Sequence, residues 1–221
     1  MENKQLIEAT KAFVKETLKD AEGGHDWFHI ERVYNTSLLL AQTEPVAILV
    51  VSLGALLHDI ADAKFYNGDE EIGPKKARNF LQKMNVSASI IEQVIHIVEN
   101  ISFKGEIGLT KADKRYKSPE LKVVQDADRL DAMGAIGIAR AFNYGGFKNR
   151  SLYDPKTRPA LNQNKEAYKK STAPTINHFY EKLLLLKDKM NTKTGKKLAE
   201  DRHRFMEQFL EQFYKEWYGK E

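Results

Sequence analysis

The sequence predicts an all-α protein, and three observations support that fold class. Apolar residues recur at the three- and four-residue spacing of amphipathic helices along most of the chain. No series of short alternating strands separated by turn pairs interrupts this pattern. Prolines stand where helices are expected to begin, at Pro45, Pro119 and Pro174. We therefore expect one helical bundle.

The expected helices follow from these periodic stretches and their capping residues. They cover residues 3–20, 27–43, 46–62, 69–84, 87–99, 119–142, 174–190 and 195–218. Two long segments, 100–117 and 143–163, are rich in Gly, basic and aromatic residues and are expected to be irregular. Long loops of this kind often carry functional residues.

Composition limits the classes of protein to consider. A chain of 221 residues with 42% hydrophobic and 30% charged residues is typical of a globular protein, here taken as a single domain over residues 1–221. The absence of cysteine excludes thiolate metal sites, so any metal must be bound by His and carboxylates. The longest apolar run, 46–57, is shorter than the roughly 20 residues of a membrane span. With no signal-peptide pattern at the start, we expect a cytoplasmic protein without a membrane partner.

Charge favours a small anionic ligand. The net charge of +4 is distributed along the chain among nearly as many acidic residues, and no zinc-finger or RNP pattern is present. A phosphate-bearing small molecule fits this balance, and no nucleic-acid partner is expected. The chain is expected to be a monomer or a homodimer.

His29, His58, Asp59 and Asp128 are candidates for a metal site. His25 and His29 are four residues apart and share a helical face, although such a pair alone is as typical of a helix start. His58 and Asp59 end a helix that is apolar all round and therefore buried. Buried imidazole and carboxylate groups cost several kcal/mol unless they are paired or bound to metal. The pair therefore requires a distant partner.

The helix over 119–142 supplies that partner. Its apolar face contains Leu121, Val124 and Ile138, and Asp128 interrupts this face, whereas Asp126 lies on a mixed face. This phase predicts that Asp128 points inward and that Asp126 is solvated or lies behind the ligands. Two imidazoles and two carboxylates suit Mn, Fe, Co, Zn or Mg and leave coordination positions for a water and a phosphate oxygen. That chemistry indicates a hydrolase.

These residues resemble the pattern of the HD-domain phosphohydrolases, in which a His, a His-Asp pair and an Asp lie on helices of an α-bundle. The matching stretches are H-I-E-R-V, A-L-L-H-D-I-A-D and Q-D-A-D-R-L-D-A-M-G-A-I-G-I-A-R. The resemblance implies that His29, His58, Asp59 and Asp128 bind one divalent metal ion, with Mn favoured over Mg, Fe, Co, Ni or Zn.

The resemblance also implies an activity. Small single-domain bacterial members act on nucleotides, which points to hydrolysis of (deoxy)nucleoside triphosphates to monophosphate and pyrophosphate. The alternatives are a nucleoside monophosphate phosphatase, a cyclic nucleotide phosphodiesterase, or a non-catalytic nucleotide-binding regulatory module. His25 is similar to the leaving-group acid of cyclic nucleotide phosphodiesterases. Asp62 is similar to a water-orienting acid of HD-type (p)ppGpp hydrolases.

Substrate contacts are expected from basic residues and one aromatic residue. Arginine suits bidentate binding of phosphate, although any one of these side chains alone is as typical of a solvated surface. Tyr144 is a candidate for stacking on a base. The substrate-binding candidates are Arg32, Lys64, Lys104, Arg129, Tyr144, Lys148 and Arg150.

Overall fold

The computed structural model describes residues 2–21, 26–61, 69, 71–101, 117–161 and 171–220. Within these residues every regular element is a helix, which confirms the all-α prediction. The elements are α1 (Asn3–Thr17), α2 (Trp27–Ala41), α3 (Ile48–Leu57), α4 (Ile72–Lys83), α5 (Ala88–Asn100), α6 (Pro119–Asp131), α7 (Gly134–Phe147), α8 (Thr175–Glu181), a 3-10 helix (Leu183–Lys189) and α9 (Lys193–Tyr218). None of these helices combines the length and the apolar character needed to span a membrane.

The chain divides into two compact units, residues 1–127 and 128–221. The division falls inside α6, between Ala127 and Asp128. A single domain over residues 1–221 stays a prediction.

Helix α3 lies at the centre of the first unit, where it packs against α1, α2 and α5. All residues from Val50 to Leu57 are buried, as expected for a helix that is apolar on every side. Gly54 permits a close approach of α5, because a Cβ atom there would lie 2.8 Å from the Cδ1 atom of Ile97.

Helix α3 is shorter than the predicted 46–62. It begins at Ile48, and the backbone N–H of Ala47 donates to a carboxylate oxygen of Glu120 over 3.1 Å. It ends at Leu57, and His58 is the first residue beyond the helix. His58 and Asp59 therefore terminate a buried helix, as predicted.

The prediction of one helix over 119–142 is wrong, because the chain breaks between α6 and α7. Gly134 has φ of 67°, a left-handed conformation that a continuous helix does not contain. A Cβ atom at Gly137 would lie 2.3 Å from the carbonyl oxygen of Ala132, so the restarting helix folds tightly against the preceding turn. The apolar periodicity continues across the break and therefore conceals it.

The region 174–190 also differs from its prediction, since it contains α8 followed by a 3-10 helix. Leu183 and Leu186 are buried three residues apart, the repeat of a 3-10 helix. The segment 143–163 is not wholly irregular, because α7 continues to Phe147 and ends before Asn149, whose φ is 52°. Most of segment 100–117 lies outside the described residues.

Candidate metal centre

Three of the predicted metal ligands come together in the first unit. His29 lies on α2, and His58 and Asp59 follow α3; one ligand atom from each lies within 4.8 Å of the others. A metal ion at about 2.1 Å from each ligand separates neighbouring ligand atoms by about 3 to 4 Å. The cluster is therefore close to the size of a metal site.

Burial distinguishes the three ligands. His29 and His58 are 2% and 6% exposed, whereas Asp59 is half-buried. The imidazoles form the closed side of the cluster, and the carboxylate is its accessible member. Such a site can accept a ligand from solvent while its nitrogen ligands remain fixed by packing.

The backbone of α3 orients the ring of His58. Its Nδ1 atom lies 2.8 Å from the carbonyl oxygen of Ala55, an atom that can only accept a hydrogen bond. The proton of a neutral ring therefore lies on Nδ1, and the lone pair on Nε2 is available for a cation. That Nε2 atom is 3.3 Å from Nε2 of His29, which suits neighbouring ligands on one ion. Sequence reasoning missed this role of Ala55, although its position three residues before His58 was a visible signal.

The start of α2 positions His29. Asp26 is the N-cap residue, and its carboxylate accepts a hydrogen bond from the backbone N–H of His29 over 3.0 Å. This contact fixes the first turn of α2 and with it the backbone of His29. Sequence reasoning gave Asp26 no such role.

The two carboxylates of α6 correct the helical-phase argument. Asp126, predicted to be solvated or behind the ligands, is 0% exposed, and Asp128, predicted to point into the core, is half-buried. Among residues 121–131 only Lys122, Gln125 and Asp128 escape full burial. Because α6 is buried on almost every side, an apolar stripe does not distinguish its faces. Asp128 as the fourth metal ligand stays a prediction.

Several predicted site residues lie outside the described residues. These are His25, Asp62, Lys64 and Lys104. Arg32 is described and half-buried on α2. Arg129 is 6% exposed, and its guanidinium donates a hydrogen bond to the carbonyl oxygen of Lys189. Contacts of these residues with a substrate stay predictions.

The second unit brings together three other predicted substrate residues. Lys148 and Arg150 lie 5.7 and 5.6 Å from the centre of the Tyr144 ring, and Lys148 lies 4.9 Å from that of Phe147. Phe147 is 63% exposed. These four residues, called the α7 cluster below, present two cations and two aromatic rings at the end of one helix. Such a combination suits an anion attached to a planar ring.

His178 is a further ionisable group of the second unit. Burial, followed by the charges of Lys182 and Arg150, lowers the pKa of His178 to about 3. His178 is therefore neutral at neutral pH. Lys182, four residues away, was visible in the sequence, but the larger cause is burial, which depends on tertiary packing.

Comparisons with known proteins identify the family that the chain is similar to. A family model described as HD domain matches residues 27–133, a range that contains all four predicted metal ligands. The Bacillus subtilis (strain 168) protein YpgQ is 37% identical over 206 residues, which cover 93% of this chain and 91% of YpgQ.

Solved structures extend the similarity to the fold. A crystal structure of an HD-superfamily hydrolase from Bacillus thuringiensis is 44% identical, with a TM-score of 0.76 and coverage of 98% of both chains. The crystal structure of Bacillus subtilis YpgQ in complex with ADP has a TM-score of 0.72 and 32% identity, and the match covers 95% of this chain and 97% of that one.

Proposed function

The chain belongs to the HD-domain family, and we propose that this HD-superfamily hydrolase converts nucleoside or deoxynucleoside triphosphates to monophosphate and pyrophosphate. The observation that carries the proposal is the cluster of His29, His58 and Asp59, in which the hydrogen bond from His58 to Ala55 leaves a nitrogen lone pair for a cation. A buried cluster of this composition suits a divalent ion better than a purely structural hydrogen-bond network.

We propose that His29, His58, Asp59 and Asp128 hold one divalent metal ion, with Mn preferred. The first three are supported by their mutual distances, and Asp128 by its place in the family pattern. When bound, such an ion lowers the pKa of a coordinated water and polarises a phosphate oxygen. The buried imidazoles exclude bulk water from one side of that reaction.

A nucleotide substrate is supported by two observations. The α7 cluster offers cations for phosphate oxygens, and the half-buried ring of Tyr144 and the exposed ring of Phe147 beside them for a base. A relative, YpgQ, has been crystallised in complex with ADP. We assign phosphate binding to Lys148 and Arg150 and base stacking to Tyr144.

Two further roles rest on the family resemblance. Asp62 orients the attacking water, and His25 donates a proton to the leaving phosphate oxygen. Asp26, by capping α2, fixes the chain immediately after His25.

The experiment that tests the proposal identifies the phosphorus product. Metal-free protein is incubated with nucleoside mono-, di-, tri- and cyclic monophosphates and with Mn, Mg, Co or Ni. Pyrophosphate released from triphosphates supports the proposal. Orthophosphate from monophosphates would establish a phosphatase instead, and ring opening of cyclic nucleotides a phosphodiesterase. Nucleotide binding without turnover under any metal would establish a regulatory module.

A matched pair of histidine variants ties the activity to the cluster. His58→Gln removes a proposed ligand and should lower Mn-dependent turnover by at least about 100-fold. His96→Gln is the control, since His96 lies on α5 with a side chain that is 43% exposed and 3.6 Å from Glu99. Equal losses in both variants would separate the activity from the cluster.

A further inference from the structure

We propose that Arg140 and Arg202 are positioning residues that fix the last turn of α6 and, through it, the carboxylate of Asp128. The inference rests on the proposed function, in which Asp128 is a metal ligand. It concerns residues of the second unit only, and it assigns a task to two arginines that the family pattern leaves without one.

The end of α6 is held by side chains from two other helices. The last carbonyl groups of a helix lack partners within that helix. Here Arg202 of α9 donates to the carbonyl oxygen of Leu130 over 2.5 Å, and Arg140 of α7 donates to that of Asp131 over 3.3 Å. Cations at a carboxyl-terminal helix end also interact favourably with the helix dipole.

Arg140 holds Asp131 at a second point. Its guanidinium lies 2.8 Å from the Asp131 carboxylate, whose side chain is 5% exposed. One guanidinium therefore contacts both the backbone and the side chain of the same residue. Both hydrogen bonds come from Nη1, so a single nitrogen of Arg140 links the carbonyl group and the carboxylate of Asp131.

Arg202 holds the turn from the other direction by packing. A Cβ atom at Gly134 would lie 3.1 Å from Cγ and 3.2 Å from Cβ of Arg202, so the left-handed turn rests directly on the arginine stem. Burial lowers the pKa of Arg202, and the charge of Asp131 opposes this shift. Arg202 is half-buried, so its guanidinium is partly removed from water and needs hydrogen-bond acceptors within the protein. Its donor function explains why arginine occupies this position.

The position of Asp128 depends on this turn. Asp128 precedes Asp131 by three residues, and both lie in the last turn of α6. Metal sites require ligand distances within about 0.2 Å, and loss of residues that orient ligands lowers metal affinity by about 10- to 100-fold. A loosened turn should therefore weaken metal binding without removing any ligand.

Variants of Arg202 test the inference with Mn as the probe. Arg202→Met keeps an unbranched stem and removes the guanidinium, and Arg202→Lys restores a charged donor. The control is Arg204→Met on the same helix. The Arg204 side chain is 67% exposed, and this variant loses only an ion pair with Asp201 at 3.6 Å. Mn affinity is measured by calorimetry, and the melting temperature is measured in metal-free protein.

We expect Arg202→Met to raise the Mn dissociation constant by about 10- to 100-fold. Arg202→Lys should recover part of the lost Mn affinity, and Arg204→Met should bind Mn as tightly as the wild type does. Arg140→Gln should also weaken Mn binding, and it serves as the test if Arg202→Met fails to fold. A lower melting temperature with unchanged Mn affinity in the folded variants would overturn the inference.

Two reference measurements separate this inference from its premise. A wild-type protein that binds no divalent metal would refute the proposed function and the inference together. Asp128→Asn should weaken Mn binding at least as much as Arg202→Met does, and an unchanged affinity would refute Asp128 as a ligand. If Asp128→Asn weakens binding and both arginine variants retain it, only the positioning role is wrong.

Discussion

The close approach of α3 and α5 at Gly54 sets the position from which His58 leaves α3. In Gly54→Ala, the new methyl group would lie 2.8 Å from Cδ1 and 3.1 Å from Cγ2 of Ile97, which is 0% exposed. Overpacking of this kind costs about 1–3 kcal/mol, and the helix propensity of Ala offsets about 1 kcal/mol. The difference is a net loss of up to about 2 kcal/mol, which lowers the melting temperature by up to about 8 °C.

Urea unfolding of metal-free protein checks this value, and Ile97→Val supplies the partner variant. Removing Cδ1 costs about 0.5–1.5 kcal/mol alone but relieves the overlap at Gly54. The double variant should therefore be about 1 kcal/mol more stable than the sum of the single changes predicts. Stabilisation by Gly54→Ala, or strict additivity with Ile97→Val, would refute the close packing of these two helices.

Three further predictions follow from single contacts. Asp26→Ala should lower the free energy of unfolding by about 0.5–2 kcal/mol through loss of the N-cap, and Asp26→Asn should retain most of it. The pKa of His178 in the folded protein, about 3, lies below its ordinary value. The neutral ring therefore makes its full contribution to the free energy of unfolding above about pH 6.5, and this contribution is lost as pH falls towards 3. Between about pH 7.5 and pH 5 the wild type should lose about 2 kcal/mol more than His178→Gln, as measured by urea unfolding; parallel pH profiles would contradict this. Gly145→Ala would place a Cβ atom 2.1 Å from Oγ1 of Thr175 and should destabilise the second unit, whereas Gly146→Ala meets no atom within 4 Å and should not.

The sequence was sufficient to predict the all-α class and the cluster of His29 with His58 and Asp59. Helical periodicity predicts the class, and a polar pair at the end of an apolar helix indicates a buried site, whereas His29 as a member of that site follows from the resemblance to the HD-domain phosphohydrolases. Arg202 shows what lies beyond such reasoning. Its contact with the carbonyl group of Leu130 joins residues 72 positions apart, and no periodicity in either helix indicates it.

The error over α6 has a related cause. Apolar residues lie on most faces of α6, so the stripe through Leu121 and Val124 does not identify the most buried one. The partly solvated face consists of Lys122, Gln125 and Asp128, which are three residues apart. Likewise, Gly134 continues an apolar repeat while its left-handed backbone ends the helix. Tertiary packing, and not the local sequence pattern, therefore determines which face of α6 is buried and where the helix ends.

Charge balance links the proposed metal centre to the proposed substrate. Two neutral imidazoles and the carboxylates of Asp59 and Asp128 would together cancel the charge of a divalent ion. A nucleoside triphosphate, with about four negative charges near neutral pH, would then find little net attraction at the metal itself. Its remaining charge requires cations from elsewhere, and in the second unit Lys148 and Arg150 lie beside aromatic rings with no acidic partner among the described residues. The requirement is weaker for a monophosphate, so the proposed triphosphate hydrolysis depends more than a monophosphatase activity would on cations outside the metal centre.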